Sequence, residues 1–239
     1  MVVERVRSGT WAIPDRETFV WVKDRLAPGQ RVPRVIYLNR DETVITGANR
    51  DDSHTNRSGL LGRRAENKAT LPGWKGSKKG WKSVVKCVEQ QFKPFNVQVV
   101  TERPERPGYV MVLVGGYARD IGITEGHHFS GLAPYNGGVV PDPIVFAFAR
   151  EVRNKARTVC ETIAMEVGHA YGLDHSYLCK DAMTYLQGCG NKSFVDKTVP
   201  CGEHEKRACN NGQPTQNSYR YLMGVLGERV EVDAISGGA

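Results

Sequence analysis

Met165-Glu166-Val167-Gly168-His169-Ala170-Tyr171-Gly172-Leu173-Asp174-His175 is the densest run of chemistry-bearing side chains in this 239-residue sequence. Positions 165 and 169 stand four residues apart, so on a helix they share one face and point at one spot. Glu166 is next in line and can reach a water held at that face, where it would act as a general base. Gly172 tolerates positive φ, which ends the helix in a sharp turn and returns His175 toward the same spot. His169 and His175 are therefore candidate metal ligands. Met165 occupies the third ligand position with a neutral, soft thioether, which suits Cu(I) better than zinc.

Six residues past His175 the chain reads Asp181-Ala182-Met183-Thr184-Tyr185, which puts Tyr185 ten residues beyond that histidine. Taken with the first run, this resembles the metzincin zinc metallopeptidases. Their motif is H-E-x-x-H-x-x-G-x-x-H, and every fixed position but the first is matched here. The resemblance implies an α+β fold: a twisted, mostly parallel five-stranded sheet, a backing helix, an active-site helix, and an irregular disulfide-bearing C-terminal subdomain ending in a helix. It also implies that Met183 forms an apolar floor beneath the metal, and that Tyr185 is an extra ligand or an oxyanion donor. The implied activity is peptide-bond hydrolysis by metal-bound water with Glu166 as general base, on an extended peptide or protein substrate. That substrate would add as a strand to a sheet edge, for which the candidate is His128, Phe129, Ser130, Gly131, Leu132 and Ala133.

Met165 divides the functional expectation. A catalytic zinc normally has three protein ligands and one open position, and only two dependable ones remain here. The chain is then a metallopeptidase whose site is completed by another group, with Tyr185 favoured over His127, His128 or Asp174. Alternatively it is an inactive pseudopeptidase that binds peptide or protein, or a copper protein using Met165, His169 and His175. A further alternative makes Met165 an engineered or incidental change in a competent enzyme.

Working outward, the spacing predicts the active-site helix over Arg157 to Tyr171. Before it, Ile144 to Ala149 is an apolar run suited to a strand buried on both faces. Strands are also expected at Arg34 to Leu38, Asn96 to Thr101 and Tyr109 to Val114. Trp81, Val84, Val85, Val88 and Phe92 make the apolar face of a helix stopped by Pro94. Residues 39–80 are expected as a long loop, whose Asp51-Asp52-Ser53-His54-Thr55-Asn56 run is a solvated turn or, less readily, a cation site. A last helix is expected near Thr215 to Leu226. The expected layout is an N-terminal extension (1–30), a subdomain with the sheet and both main helices (31–172), and a C-terminal subdomain (173–239).

Composition narrows the partners. The hydrophobic fraction of 40% and the charged fraction of 25% are those of a globular chain. The net charge of +7 comes without any nucleic-acid-binding motif, so nucleic acid is not expected as partner. No run is long enough to span a membrane, and a monomer is expected. Six cysteines without a Cys-x-x-Cys pair suggest a disulfide framework and a secreted protein. The pairs expected are Cys87–Cys160, Cys179–Cys189 and Cys201–Cys209, worth roughly 2–3 kcal/mol each. His204 is expected to be solvated.

Overall fold

The computed structural model describes residues 31–62, 67–123 and 130–229. The extension 1–30 lies outside these ranges, as do His127, His128 and Phe129. The strands are β1 (Val35–Asn39), β2 (Thr43–Gly47), β3 (Arg57–Ser58), β4 (Lys68–Leu71), β5 (Gln98–Val100), β6 (Val110–Gly115), β7 (Gly131–Leu132) and β8 (Ile144–Phe148). Three α-helices accompany them among the described residues: α1 (Lys78–Phe92), α2 (Ala156–Ala170) and α3 (Ser218–Leu226). The fold is α+β.

Five strands form the main sheet in the order β5-β1-β6-β8-β7. All neighbouring pairs are parallel except β7, which runs antiparallel to β8 at the edge. The period-2 alternation of strands explains both cores. Ile36, Leu38, Val110, Val112, Val114, Val145 and Ala147 face α1 and α2. Tyr37, Met111, Leu113, Ile144, Phe146 and Phe148 face the other way, with Ile45 and Leu71 of a smaller sheet packed among them. The apolar runs of β6 and β8 are thus covered on both sides.

That smaller sheet corrects the expected loop over 39–80. Its order is β3-β2-β4, with β2 and β4 antiparallel. Each strand brings few apolar side chains inward, while Val44 on the outer face is 53% exposed, so hydrophobic periodicity was too thin to reveal it. The acidic run of this segment is structural. Asp51 accepts from the Gly59 and Ile144 amides at 2.6 and 2.7 Å, and Asp52 closes a turn by accepting from His54 and Thr55. Both Asp51 oxygens and one of Asp52 accept from backbone N–H groups, and among the described residues no cluster of three metal-type donors includes this run.

Helix α1 begins earlier than its apolar face, because the Ser77 hydroxyl caps it by accepting from Gly80 at 3.0 Å. Trp81, Val84, Val88 and Phe92 are buried against the sheet, each contributing about 1.5–3 kcal/mol of transfer free energy. Alongside it, α2 is tied to α1 by the Cys87–Cys160 disulfide. Cys179–Cys189 and Cys201–Cys209 staple the irregular segment that follows. These are the three pairs expected from the sequence. No helix among the described residues is long and apolar enough to cross a membrane.

The Cys87–Cys160 bridge closes a loop of 73 residues, so replacing both cysteines by Ala should lower unfolding free energy by about 2–4 kcal/mol. Urea denaturation checks this; a double variant as stable as the parent would show that packing alone holds the two helices together.

Candidate functional site

Helix α2 ends at Ala170, and Gly172 then takes φ +105°. A side chain there would meet the Gly138 backbone and the Tyr221 hydroxyl, so both conformation and space require glycine. The turn brings His175 back onto His169. Their Nε2 atoms lie 2.9 Å apart.

The other nitrogen of each ring is fixed. His169 Nδ1 lies 2.7 Å from the Leu173 carbonyl oxygen, and His175 Nδ1 lies 2.6 Å from Glu203 Oε1. A carbonyl and a carboxylate accept only, so each Nδ1 must carry the proton and donate. In its neutral form each ring then turns a lone pair toward the other at Nε2. Two lone pairs at this distance repel unless a shared proton or a cation lies between them. Burial, and then the charge of His175, pulls His169 down to about 4, which keeps its lone pair free near neutrality.

Glu203 is itself positioned. Arg207 donates to Glu203 Oε1 at 2.6 Å and to both Asp174 oxygens at 2.6 and 2.9 Å. The Arg207 hydrogen bonds, with help from His175, draw Glu203 from the ordinary 4.5 down to about 2. Burial pushes Asp174 up, but Arg207 and the amides of Asn210 and His175 outweigh it and leave it below the ordinary value. Glu203 and Arg207 both sit inside the short loop closed by Cys201–Cys209, and Gly202 N–H donates to the His175 carbonyl at 3.0 Å. That disulfide therefore holds the support of His175.

Two clusters bring metal-type donors together here. Asp174, His175 and Glu203 have donor atoms within 4.8 Å of one another, but those oxygens are occupied by Arg207 and backbone amides. In Asp174, Cys201 and Cys209 the sulfurs are bonded to each other. Neither is a cage for a cation. Both Asp174 oxygens accept from Arg207 and from backbone amides, so a metal ion there would compete with those bonds.

Of the remaining expected residues, Tyr185 touches the histidine pair directly. The Tyr185 ring stacks edge-on against His175 with centroids 4.4 Å apart and is 39% exposed. Burial raises its phenol above the ordinary value, so it stays neutral. Met183 is fully buried under α2, where a side chain at Gly168 would strike its Sδ. Met165 is half-buried, packed against the core cluster on one side and lining an open cavity on the other. That cavity, about 620 Å³, is also lined by Glu166, Tyr185, Ser130 and Gly131. Edge strand β7 crosses α2 so closely that a Cβ at Gly131 would collide with Glu166 and Thr162. Burial lifts Glu166 to about 8. His204 is exposed.

Glu203 and Arg207 were not singled out from the sequence. Their signal was an opposite-charge pair four residues apart in a short disulfide loop, which says nothing of a partner 28 residues away at His175.

A search against protein-family models and curated proteins finds no match for this chain.

The donor chemistry fits a cation of the zinc or copper class. Two imidazoles converge at Nε2 with Nδ1 engaged by an acceptor, as metal-bound histidines require. Tetrahedral zinc with Zn–N of about 2.0–2.1 Å sets its nitrogens about 3.3 Å apart, slightly wider than the gap here. Glu203→Gln should weaken zinc binding about 10–100-fold, measured by competition with a chromophoric chelator; unchanged affinity would remove Glu203 from the site.

The same carboxylate gives a pH signature. Its folded value is depressed, so its stabilisation is present above pH 4.5 and lost as pH falls from there through about 2. Thermal midpoints across that window should fall less steeply in Arg207→Met than in the parent; parallel curves would contradict it.

Proposed function

We propose that this chain is a secreted, metal-dependent peptide hydrolase of the metzincin kind, working from a two-histidine metal site. The observation that carries this is the facing Nε2 pair of His169 and His175, each held by an acceptor on its far side, with Tyr185 against His175 joining the pair to the cleft that Glu166 lines. A protein that had only kept the fold would not need both imidazoles supported from behind. Secretion is supported by the three disulfides.

His169 and His175 would hold the ion, with Tyr185, stacked on His175, and Met165, four residues before His169 on α2, as further weak donors. When bound, it would supply Lewis acidity toward a peptide carbonyl and a water. The chain's own groups do the rest. Strand β7 pairs with β8 on one side only, being last in the sheet, so its outer edge is available to an extended peptide. The contact between Gly131 and α2 carries such a peptide past Glu166. Glu166, with its value near 8, takes or gives a proton close to neutral pH, as a group serving first as base and then as acid must. The neutral Tyr185 hydroxyl, at the cleft wall, is placed to donate to an oxyanion.

Met165 favours a second reading, an inactive peptide-binding protein, because it packs against the core as any apolar residue would. The two readings separate on variants. Glu166→Gln should abolish cleavage of denatured casein while leaving fold and metal content unchanged. Met165→His should tighten zinc binding by on the order of 100-fold, if the ~10–16 kcal/mol of a complete four-ligand site is shared about evenly. Parent protein that binds peptide but cuts no substrate, with Met165→His gaining no affinity for zinc, would establish the binding-protein reading instead.

A further inference from the structure

Within the cleft of about 620 Å³ the ionisable side chains besides Tyr185 are Glu161, Glu166 and Lys192. Lys192 is held to an unusual degree. Its N–H donates to Glu161 Oε1 at 2.9 Å, and its carbonyl accepts from Gln91 at 2.7 Å and from Arg157 at 3.0 Å. Both helices packed beneath the cleft, α1 and α2, thus clamp its peptide groups. The half-buried side chain runs to the Met183 turn, where Nζ donates to the Thr184 carbonyl at 3.0 Å. An ammonium has three donors, and this is the one bond Nζ makes among the described residues.

Among the described residues the Lys192 ammonium makes no salt bridge, and Glu161 is the carboxylate that acts on its charge. Glu161 is engaged by Arg157 at 2.7 Å and by the Lys192 amide. Burial draws the Lys192 ammonium below its ordinary value, with Glu161 partly restoring it. A surface lysine needs neither a clamped backbone nor a place in a cleft, and its stem would be as well solvated elsewhere.

We infer that Lys192 selects a carboxylate of the bound peptide, either an acidic side chain or the chain's own C-terminus. The inference rests on the reading of this cleft as the peptide site and names the substrate class within it. Two donors without a partner among the described residues, on a cation in a partly desolvated wall, favour a carboxylate oxygen over a neutral amide, because hydrogen bonds to charged groups are the stronger ones. Gln187 and Gly188 line the same cleft without charge, and of its two carboxyl groups Glu161 is paired with Arg157.

The test is binding, so that it stands apart from catalysis. In the full-length Glu166→Gln protein, affinities are measured by fluorescence anisotropy for short extended peptides blocked at both ends, with Glu or Gln placed at each position in turn. A parallel set compares a free C-terminal carboxylate with its amide. The expected result is a preference of roughly 10- to 100-fold for the carboxylate at one position. That preference should be lost on adding Lys192→Gln and kept on adding Lys192→Arg, with thermal unfolding confirming that both variants fold. Which set shows it distinguishes the side-chain source from the chain end. No preference, or one that survives Lys192→Gln, overturns the inference. Selective binding by a parent protein that never cuts would leave Lys192 its role and remove the hydrolase reading alone.

Discussion

Each imidazole of the site has one nitrogen committed to an acceptor that has no proton to give. Leu173 offers a carbonyl to His169, and Glu203 offers a carboxylate to His175. From this follow the tautomers, the convergence of two lone pairs, and the need for something positive between them. It also explains what surrounds the pair. Arg207 keeps Glu203 ionised and aimed, and Cys201–Cys209 keeps the Arg207 loop in place. Gly172 allows the turn without which His175 would face elsewhere.

The rest of the molecule serves as a platform for that turn. A sheet buried on both faces fixes β8 and its edge partner β7, and the α1–α2 layer fixes the helix that carries Glu166 and His169. Gly131 and Gly168 allow β7 and Met183 to approach α2 within side-chain distance, one above the helix and one below. The cleft therefore lies between a rigid edge strand and a disulfide-stapled segment, a geometry suited to holding an extended chain. Function and scaffold meet at α2. Its buried face stabilises the core while Met165 and Glu166 line the cavity.

Much of this was legible in the sequence where the signal was local. The helical spacing of Val84, Val88 and Phe92, the apolar run at β8 and the spacing from Glu166 to His175 each encode one element. The cysteine pairs were legible because two of them close short loops. What escaped was whatever depended on distant contacts. The small sheet gives few apolar residues to a core built mostly by the main sheet, so Ile45 and Leu71 carried no period. Glu203 and Arg207 look like an ordinary surface ion pair until the fold sets His175 against them. Lys192 looks like one lysine among many until Gln91 and Arg157 are seen to clamp it. Nor does one dimension show that Arg207 and backbone amides engage both oxygens of Asp174, or that amides engage both oxygens of Asp51 and one of Asp52.

Metal content bears most directly on the facing histidines. Protein purified without chelator, dialysed against trace zinc and copper and then against metal-free buffer, should retain one zinc ion per chain by elemental analysis. Protein that retains no metal under these conditions would contradict the two-histidine site, and retention of copper in place of zinc would assign the thioether of Met165 to a different chemistry.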